Sequence, residues 1–178
     1  MPTALITCST VDGHTLSICQ RIADVLERHG YLVTLIPVKE ALQMDCSRFE
    51  KIVLGASIRY GKHRRTVDDF VVRNRQLLER LPNAFFSVSA VARKSGKDCP
   101  SGNPYFKKFI RRSGWTPQLA ATFAGKIDYS RYGLADRLLI QLIMWITQGP
   151  TDPKTAVELT DWAAVNAFAL RICQQARP

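Results

Sequence analysis

Residues 3–15 of the chain read T-A-L-I-T-C-S-T-V-D-G-H-T, and the fold is organised around this stretch. It opens with a short apolar run, Ala4 to Ile6, which is typical of a strand, and a helical pattern follows directly. Between the two lies a hydroxyl-rich turn with one glycine, Gly13. Free N–H groups at a helix start and the helix dipole attract anions. The stretch therefore predicts either a phosphate-binding loop or an ordinary strand–turn–helix in which Ser or Thr caps the helix.

The composition is that of a globular chain with a strong positive charge. Its 178 residues suit one domain with a substantial core, because 46% of them are hydrophobic, and the formal net charge is +10. This charge favours anionic partners, which include nucleic acid, acidic lipid and substrates with carboxylates. No run of 18 apolar residues and no signal-peptide pattern occurs, so we expect neither a transmembrane helix nor a leader.

Cysteine and histidine spacing favours neither a disulfide framework nor a metal site. The chain has five cysteines, an odd number without a C-x-x-C pair, which indicates a reducing compartment. The three histidines, His14, His29 and His63, are far apart in sequence and lack metal-ligand spacing. We therefore expect no metal ion in the protein.

Apolar runs and helical patterns alternate along the chain. The predicted strands lie at 4–6, 31–36, 51–57, 84–89 and 119–124. The predicted helices begin after Gly13, at Thr66 (continuing to Leu81), behind the Asn103-Pro104 pair, and at Thr160, which is expected to cap the last one. Such alternation predicts parallel strands joined by right-handed crossovers in a three-layer α/β sandwich.

An insertion at 126–154 interrupts this alternation before the last helix. Within it, residues 138–146 are apolar except for Gln141, while Arg137, Gln141 and Gln148 would form one narrow polar stripe on a helix. Such a helix is too short to span a bilayer. It must be buried as an extra core helix, meet another subunit, or meet lipid, and Lys126, Arg131, Arg137 and Trp145 would suit a membrane surface.

Three loops are expected at the carboxyl edge of the sheet, at 9–15, 57–63 and 89–97. Ligands of open parallel sheets bind at this edge, where the strand order reverses. Tyr60 offers an aromatic face for a flat ligand, although a half-exposed loop tyrosine is an equal interpretation. The first loop lacks the G-x-G-x-x-G and Gly-x4-Gly-Lys-Thr patterns, so a single terminal phosphate, as in FMN, is the simpler prediction.

The first loop, Ser9-Thr10-x-Asp-Gly-x-Thr15, resembles that of flavodoxin-like FMN domains. The segments G-A-S-I-R-Y-G (55–61) and S-V-x-x-V-A-R-K (87–94), with Asp161-Trp162, are similar to the menaquinone-dependent protoporphyrinogen oxidases (protoporphyrinogen IX dehydrogenases) of bacterial haem synthesis. The resemblance covers nearly the whole chain. It implies one flavodoxin-like domain over 1–178, with a five-stranded parallel sheet in the order 2-1-3-4-5 and the long insertion between strand 5 and the last helix.

The resemblance also implies where FMN would lie. The first loop would hold the phosphate, and the later loops would flank the ring. The implied cofactor-binding residues are Ser9, Thr10, Val11, Asp12, Gly13, His14, Thr15, Ser57, Ile58, Arg59, Tyr60, Gly61, Ser89, Ala90, Val91, Ala92 and Arg93. Because a carboxylate would repel the phosphate, Asp12 is expected to point away and cap the helix.

Four basic residues are candidates for binding the propionates of the substrate, or else form a solvated rim: Arg59, Lys62, Arg93 and Lys94. No residue is assigned as an acid or base. The implied reaction converts protoporphyrinogen IX to protoporphyrin IX in three two-electron rounds. A respiratory quinone, menaquinone or ubiquinone, would be the acceptor.

The resemblance favours a peripheral protein on the cytoplasmic face of the bacterial inner membrane, with the insertion as a membrane-surface or quinone-access element. A contact between copies in a homo-oligomer is an alternative role for the insertion. The alternatives in function are a flavodoxin-type electron carrier and a flavodoxin-like quinone reductase. Carriers of this kind are usually acidic and lack the insertion. A nucleic-acid-binding domain ranks last, because no recognition-helix signature is present.

Overall fold

The computed structural model describes residues 1–128, 133–146 and 156–176. The strands are β1 Thr3–Ser9, β2 Leu32–Pro37, β3 Lys51–Ser57, β4 Asn83–Val88, β5 Leu119–Phe123, β6 Lys126–Asp128 and β7 Ala156–Glu158. The helices are α1 His14–Arg28, α2 Val38–Ala41, α3 Arg65–Arg73, α4 Arg75–Arg80, α5 Pro104–Ser113, α6 Leu134–Ile146 and α7 Trp162–Gln174. Short 3-10 turns occupy Cys46–Arg48 and Ala90–Arg93.

The first five strands form one parallel sheet in the order β2-β1-β3-β4-β5. Strand β1 pairs with β2 on one side and with β3 on the other, so the strand order reverses there. This confirms the predicted five-stranded α/β fold. The reversal opens a crevice at the carboxyl edge, between the loops that follow β1 and β3.

The two faces of the sheet carry separate apolar cores, which makes three layers. One face packs against α1 and α7, and the other against α2, α3, α4 and α5. The neighbouring residues Phe85 and Phe86 point to opposite faces, as strand geometry requires. Phe85 stacks on Phe109 at 4.6 Å between ring centroids, whereas Phe86 contacts Phe123 and Phe168. A Cβ atom at Gly55 would lie 2.4 Å from the Phe86 ring, so only glycine fits there.

Two helix predictions need correction. The helix predicted over 66–81 is divided into α3 and α4 at Asn74, whose side-chain amide and backbone N–H both donate to the Phe70 carbonyl at 3.0 Å. Such local side-chain bonding competes with a regular helix. The last helix is capped by Asp161, not Thr160, because the Asp161 carboxylate accepts from the Ala164 N–H at 3.0 Å. The predicted Asn103 cap of α5 is confirmed.

The insertion has a base that the sequence did not predict. Strands β6 and β7 pair antiparallel, with Lys126 opposite Glu158. Helix α6 occupies the apolar segment, as expected. Residues 129–132 and 147–155, which include Arg131, Gln148 and Lys154, lie outside the described residues. In the described part of the chain, no helix combines the length and apolarity needed to cross a membrane.

Candidate functional site

A cleft of about 230 Å³ opens at the carboxyl edge of the sheet. Its walls come from the loops after β1, β3, β4 and β5, from the start of α5 and from one side of α6. The lining residues are Thr10, Val11, Asp12, His14, Thr15, Ser57, Ile58, Arg59, Tyr60, Gly61, Val88, Ser89, Ala90, Val91, Tyr105, Gly125, Lys126, Leu139, Ile140 and Met144.

The first loop turns into α1 at Gly13. Gly13 occupies the N-cap position of α1 in the left-handed region, with φ 81°, and its N–H donates to Thr10 Oγ1 at 3.0 Å. The next N–H groups have no carbonyl partner within the helix, as at any helix start. The N-cap residue is thus Gly13, and the prediction that Asp12 caps the helix is corrected. Asp12 lines the cleft, and the direction of its carboxylate relative to a phosphate stays a prediction.

The second loop is a tight hairpin that displays Tyr60. Arg59 and Lys62 exchange backbone hydrogen bonds of 3.0 and 3.2 Å, and the central residues Tyr60 and Gly61 have φ values of 51° and 73°. Two central residues with positive φ are typical of a type I′ turn. A left-handed tyrosine costs about 1–3 kcal/mol. The Tyr60 ring is 65% exposed, with the Arg59 guanidinium carbon 5.3 Å from its centroid.

The third loop contributes a buried hydroxyl. Ser89 is 6% exposed, and among the described residues its Oγ has no hydrogen-bond partner. An unpaired buried hydroxyl is costly, so this atom favours a polar ligand in the cleft that it borders. Arg93 donates from Nη1 to the Ala90 carbonyl at 2.8 Å and so helps to hold the turn.

The structure brings most of the predicted cofactor residues together around the cleft. In the described structure the lining omits four of them, Ser9, Gly13, Ala92 and Arg93. Ser9 contacts the lining from behind, because its carbonyl accepts from Ser57 Oγ at 3.3 Å and so links two loops. Among the four candidates for substrate carboxylates, Arg59 lines the cleft, whereas Lys62 is exposed and Lys94 is half-buried outside the lining. Their binding roles stay predictions.

Several lining residues were missed by the sequence prediction: Val88, Tyr105, Gly125, Lys126, Leu139, Ile140 and Met144. Two of them could have been predicted from the sequence. Gly125 and Lys126 follow the fifth strand, whose carboxyl end must lie at the same edge as the others. Nothing in the spacing of the α6 residues indicated that one side of this helix closes the cleft.

The two histidines near the cleft are in different environments. His63 is buried against Phe85 and Phe109, its Nε2 lies 2.9 Å from Ser87 Oγ, and burial lowers its pKa to about 3. It is therefore a neutral core residue. His14 lies at the cleft wall, where burial also lowers its pKa. Among the described residues, no group of three side chains could hold a metal ion.

Helix α6 has one covered side and one open side. Met144 is buried, and it packs with the half-buried Ile140 near Ala90 and Leu159. The open side carries exposed large apolar residues, namely Leu134, Leu138, Leu142, Trp145 and Ile146. This exposure contradicts the interpretation of the segment as an extra core helix.

Comparison with known proteins decides the family. The Flavodoxin domain family matches residues 5–154. The chain is 41% identical to protoporphyrinogen IX dehydrogenase (quinone) of Leishmania major over 169 residues, which are 94% of this chain and 73% of that protein. It is 38% identical to the protein of the same name from Escherichia coli K12, over 94% of this chain and 93% of that one.

The chain belongs to the family of quinone-dependent protoporphyrinogen IX dehydrogenases, within the flavodoxin domains. The resemblance stated from the sequence is thereby confirmed. Among solved structures, oxidised flavodoxin 1 from Bacillus cereus superposes with a TM-score of 0.56 at 14% identity, covering 99% of each chain. At this identity the similarity speaks for the fold alone. Membership in the family makes the carrier interpretation the weaker one.

Proposed function

We propose that the chain oxidises protoporphyrinogen IX to protoporphyrin IX, with FMN in the cleft and a membrane quinone as electron acceptor. One observation carries the proposal. A chain 38–41% identical to proteins named for this reaction forms a cleft that has polar loops on one side and an apolar helix on the other. In the balanced reaction, one porphyrinogen loses six electrons and six protons, and three quinones become three quinols.

The described residues fit FMN. The start of α1 provides N–H groups that have no carbonyl partner within the helix, together with the positive end of the helix dipole, for a terminal phosphate. The unpaired hydroxyl of Ser89 and the exposed ring of Tyr60 lie along the same cleft and suit a flat, polar ring system. When bound, FMN supplies the two-electron redox chemistry. The protein supplies position, charge and protection from water.

The propionates of the substrate call for cations at the mouth of the cleft. Arg59 and Lys126 both line it, so a porphyrinogen carboxylate can pair with either while the macrocycle enters. Leu139, Ile140 and Met144 close the apolar wall and exclude water from the reacting carbons. Lys62, Arg93 and Lys94 act more remotely, as part of the basic surface that attracts the substrate.

The open side of α6 would let the quinone reach the cleft from a bilayer. Leu138 and Trp145 are 67% and 73% exposed, on the same helix whose other side lines the cleft. A helix of this kind is suited to lie in a bilayer interface, with basic residues such as Arg137 at the headgroups. The proposed setting is the cytoplasmic face of the bacterial inner membrane, where a lipid-soluble quinone would reach the cleft along α6.

Anaerobic turnover of protoporphyrinogen IX with menaquinone or ubiquinone analogues tests the function. The purified protein should show a flavin spectrum and release protoporphyrin only when a quinone is present. A flavin-containing protein that turns over with none of several quinones would contradict the proposal and favour the electron carrier.

The role of Arg59 has a matched control. Arg59→Glu should raise the KM for porphyrinogen at least about tenfold, since a charge-assisted pair contributes roughly 1.5–3 kcal/mol. Arg80→Glu, at the exposed end of α4, makes the same charge change away from the cleft and should leave KM unchanged. Equal KM values for the two variants would remove Arg59 from substrate binding.

A further inference from the structure

His14 lies where the anion site meets the base of the insertion. It is the first residue of α1 and lines the cleft. Its imidazole also reaches the segment before the last helix, where Nε2 lies 2.6 Å from Thr160 Oγ1 and 3.5 Å from Glu158 Oε1. The ring meets Trp162 edge-on, with 6.0 Å between centroids. One side chain therefore contacts the helix start, the β6–β7 hairpin and the start of α7.

The hydrogen bonds assign the proton on the ring. Thr160 has a single hydroxyl proton, which it donates to the Ala124 carbonyl at 2.8 Å. The Thr160 oxygen must then accept from His14, so Nε2 carries a hydrogen in either charge state of the ring. Protonation and deprotonation of His14 consequently occur at Nδ1.

Opposing charges surround this histidine. The Glu158 carboxylate favours the imidazolium, whereas burial and Lys126, the cross-strand partner of Glu158, disfavour it, and the net result is a lowered pKa. Arg21 lies over the Trp162 ring, with 5.6 Å from its guanidinium carbon to the ring centroid. Asp12 borders the same cleft. A phosphate at the start of α1 would add a negative charge that favours the imidazolium.

We propose that His14 is the positioning residue that couples the anion site to the insertion: it takes up a proton from solvent when a phosphate binds at the start of α1, and its imidazolium then pairs with Glu158 on the hairpin that carries α6. Because that phosphate is the one of FMN, the coupling rests on the proposed function. Cofactor binding would thereby fix the β6–β7 hairpin and, with it, the apolar wall of the cleft.

The sign of the pH dependence follows from linkage. The pKa of His14 is below its ordinary value in the free chain and higher when the phosphate is bound, so binding takes up a proton between the two values. FMN affinity should rise as pH falls through the bound-state pKa and level off below the free-state pKa. Each pKa unit gained on binding corresponds to about tenfold in affinity. Riboflavin, which lacks the phosphate, should show no such rise.

The experiment measures the ratio of FMN to riboflavin affinity by quenching of flavin fluorescence in apoprotein, from about pH 5.5 to about pH 8.5. His14→Gln keeps an N–H donor for Thr160 but cannot take up a proton. The phosphate itself titrates with a pKa of about 6, equally in both proteins. Between high and low pH, the wild-type ratio should rise several-fold more than the variant ratio. Calorimetry in buffers of different protonation enthalpy should show the corresponding extra proton uptake.

A second variant tests the coupling without changing His14. Glu158→Gln should reduce the extra pH dependence, and it should also weaken the FMN-induced protection of the hairpin amides from hydrogen exchange. Glu27→Gln, at an exposed position of α1, is the matched control and should behave as wild type.

Three outcomes would overturn the coupling. The pH profiles of His14→Gln and wild type could be parallel, which is what a purely structural role predicts. FMN could leave exchange in the hairpin unchanged. If wild type binds no flavin at any pH, the proposed function fails first and the coupling with it, whereas flavin binding with parallel profiles overturns the coupling alone.

Discussion

Helices α6 and α7 have the same length, 13 residues, and both are largely apolar, but they have opposite fates. In α7, Val165, Phe168, Ala169 and Ile172 are buried in the core that it shares with α1. In α6, Met144 is the buried residue among the described side chains, while Leu134, Leu138, Leu142, Trp145 and Ile146 are exposed.

The difference shows that apolar content predicts a need for a partner, not the identity of the partner. Helix α7 follows the hairpin back onto the sheet, where Phe168 meets Phe86 and Phe123. Helix α6 lies within the loop of that hairpin, and of its described side chains mainly those facing the cleft are covered. Its open side therefore needs a second apolar environment, for which a bilayer is the proposed one.

The largest expected effect is a loss of stability on removing a buried ring from α7. Phe168→Ala should lower the free energy of unfolding by about 3–5 kcal/mol, because it removes a ring that contacts two others. Leu142→Ala on the open side of α6 should change it by less than about 0.5 kcal/mol. Urea unfolding followed by circular dichroism compares the two. A comparable loss in both variants would mean that α6 is packed after all.

A smaller effect concerns the anchoring of α7. Lys51 is 2% exposed, and its ammonium group donates to the Ile172 and Gln175 carbonyls at the end of that helix and to the Tyr31 hydroxyl. Lys51→Met keeps the apolar stem but removes these bonds, so unfolding should become easier by about 2 kcal/mol. The exposed Lys39→Met is the control. Equal stability of the two variants would show that the buried ammonium contributes nothing.

A membrane assay tests the open side of α6. The double variant Leu138→Glu/Leu142→Glu should bind anionic phospholipid vesicles at least about tenfold more weakly, since each leucine fully removed from water contributes roughly 1.5–3 kcal/mol. Val72→Glu, on α3 at a site 73% exposed, is the matched control and should bind as wild type. If the double variant only changes the oligomeric state and still sediments with vesicles, α6 is a contact between copies.

The smallest effect concerns the start of α7. Asp161→Ala should lower stability by about 1 kcal/mol, because the Ala164 N–H loses its acceptor, whereas Asp161→Asn should retain most of it. Thermal unfolding of the three proteins checks this difference. An Asp161→Ala variant as stable as wild type would contradict the assigned cap.

Local patterns were sufficient for most of the fold. The apolar runs predicted all five strands of the sheet, because burial leaves a continuous apolar signal. Four of them were placed within one residue at each end, whereas β1 continues three residues beyond its predicted end, to Ser9. The break in the helix over 66–81 and the strands β6 and β7 were not predicted, because neither feature produces a periodic pattern. Asn74 uses its side chain to interrupt a helix that its periodicity supports, and β6 and β7 are too short to carry any periodic signal.

The residues of the site also fall into those that the sequence predicted and those that it did not. The sequence by itself determined the loops at the carboxyl edge, since parallel strands must all end there, and it supplied the family through its motifs. Only the tertiary structure decided which other groups join them. Met144 and Tyr105 reach the cleft from helices whose own patterns concern packing. His14 meets Thr160, which is 146 residues away, because a β6–β7 hairpin closes a long loop beside α1. Spacing along a chain specifies local conformation, whereas contacts between distant segments depend on how the layers pack.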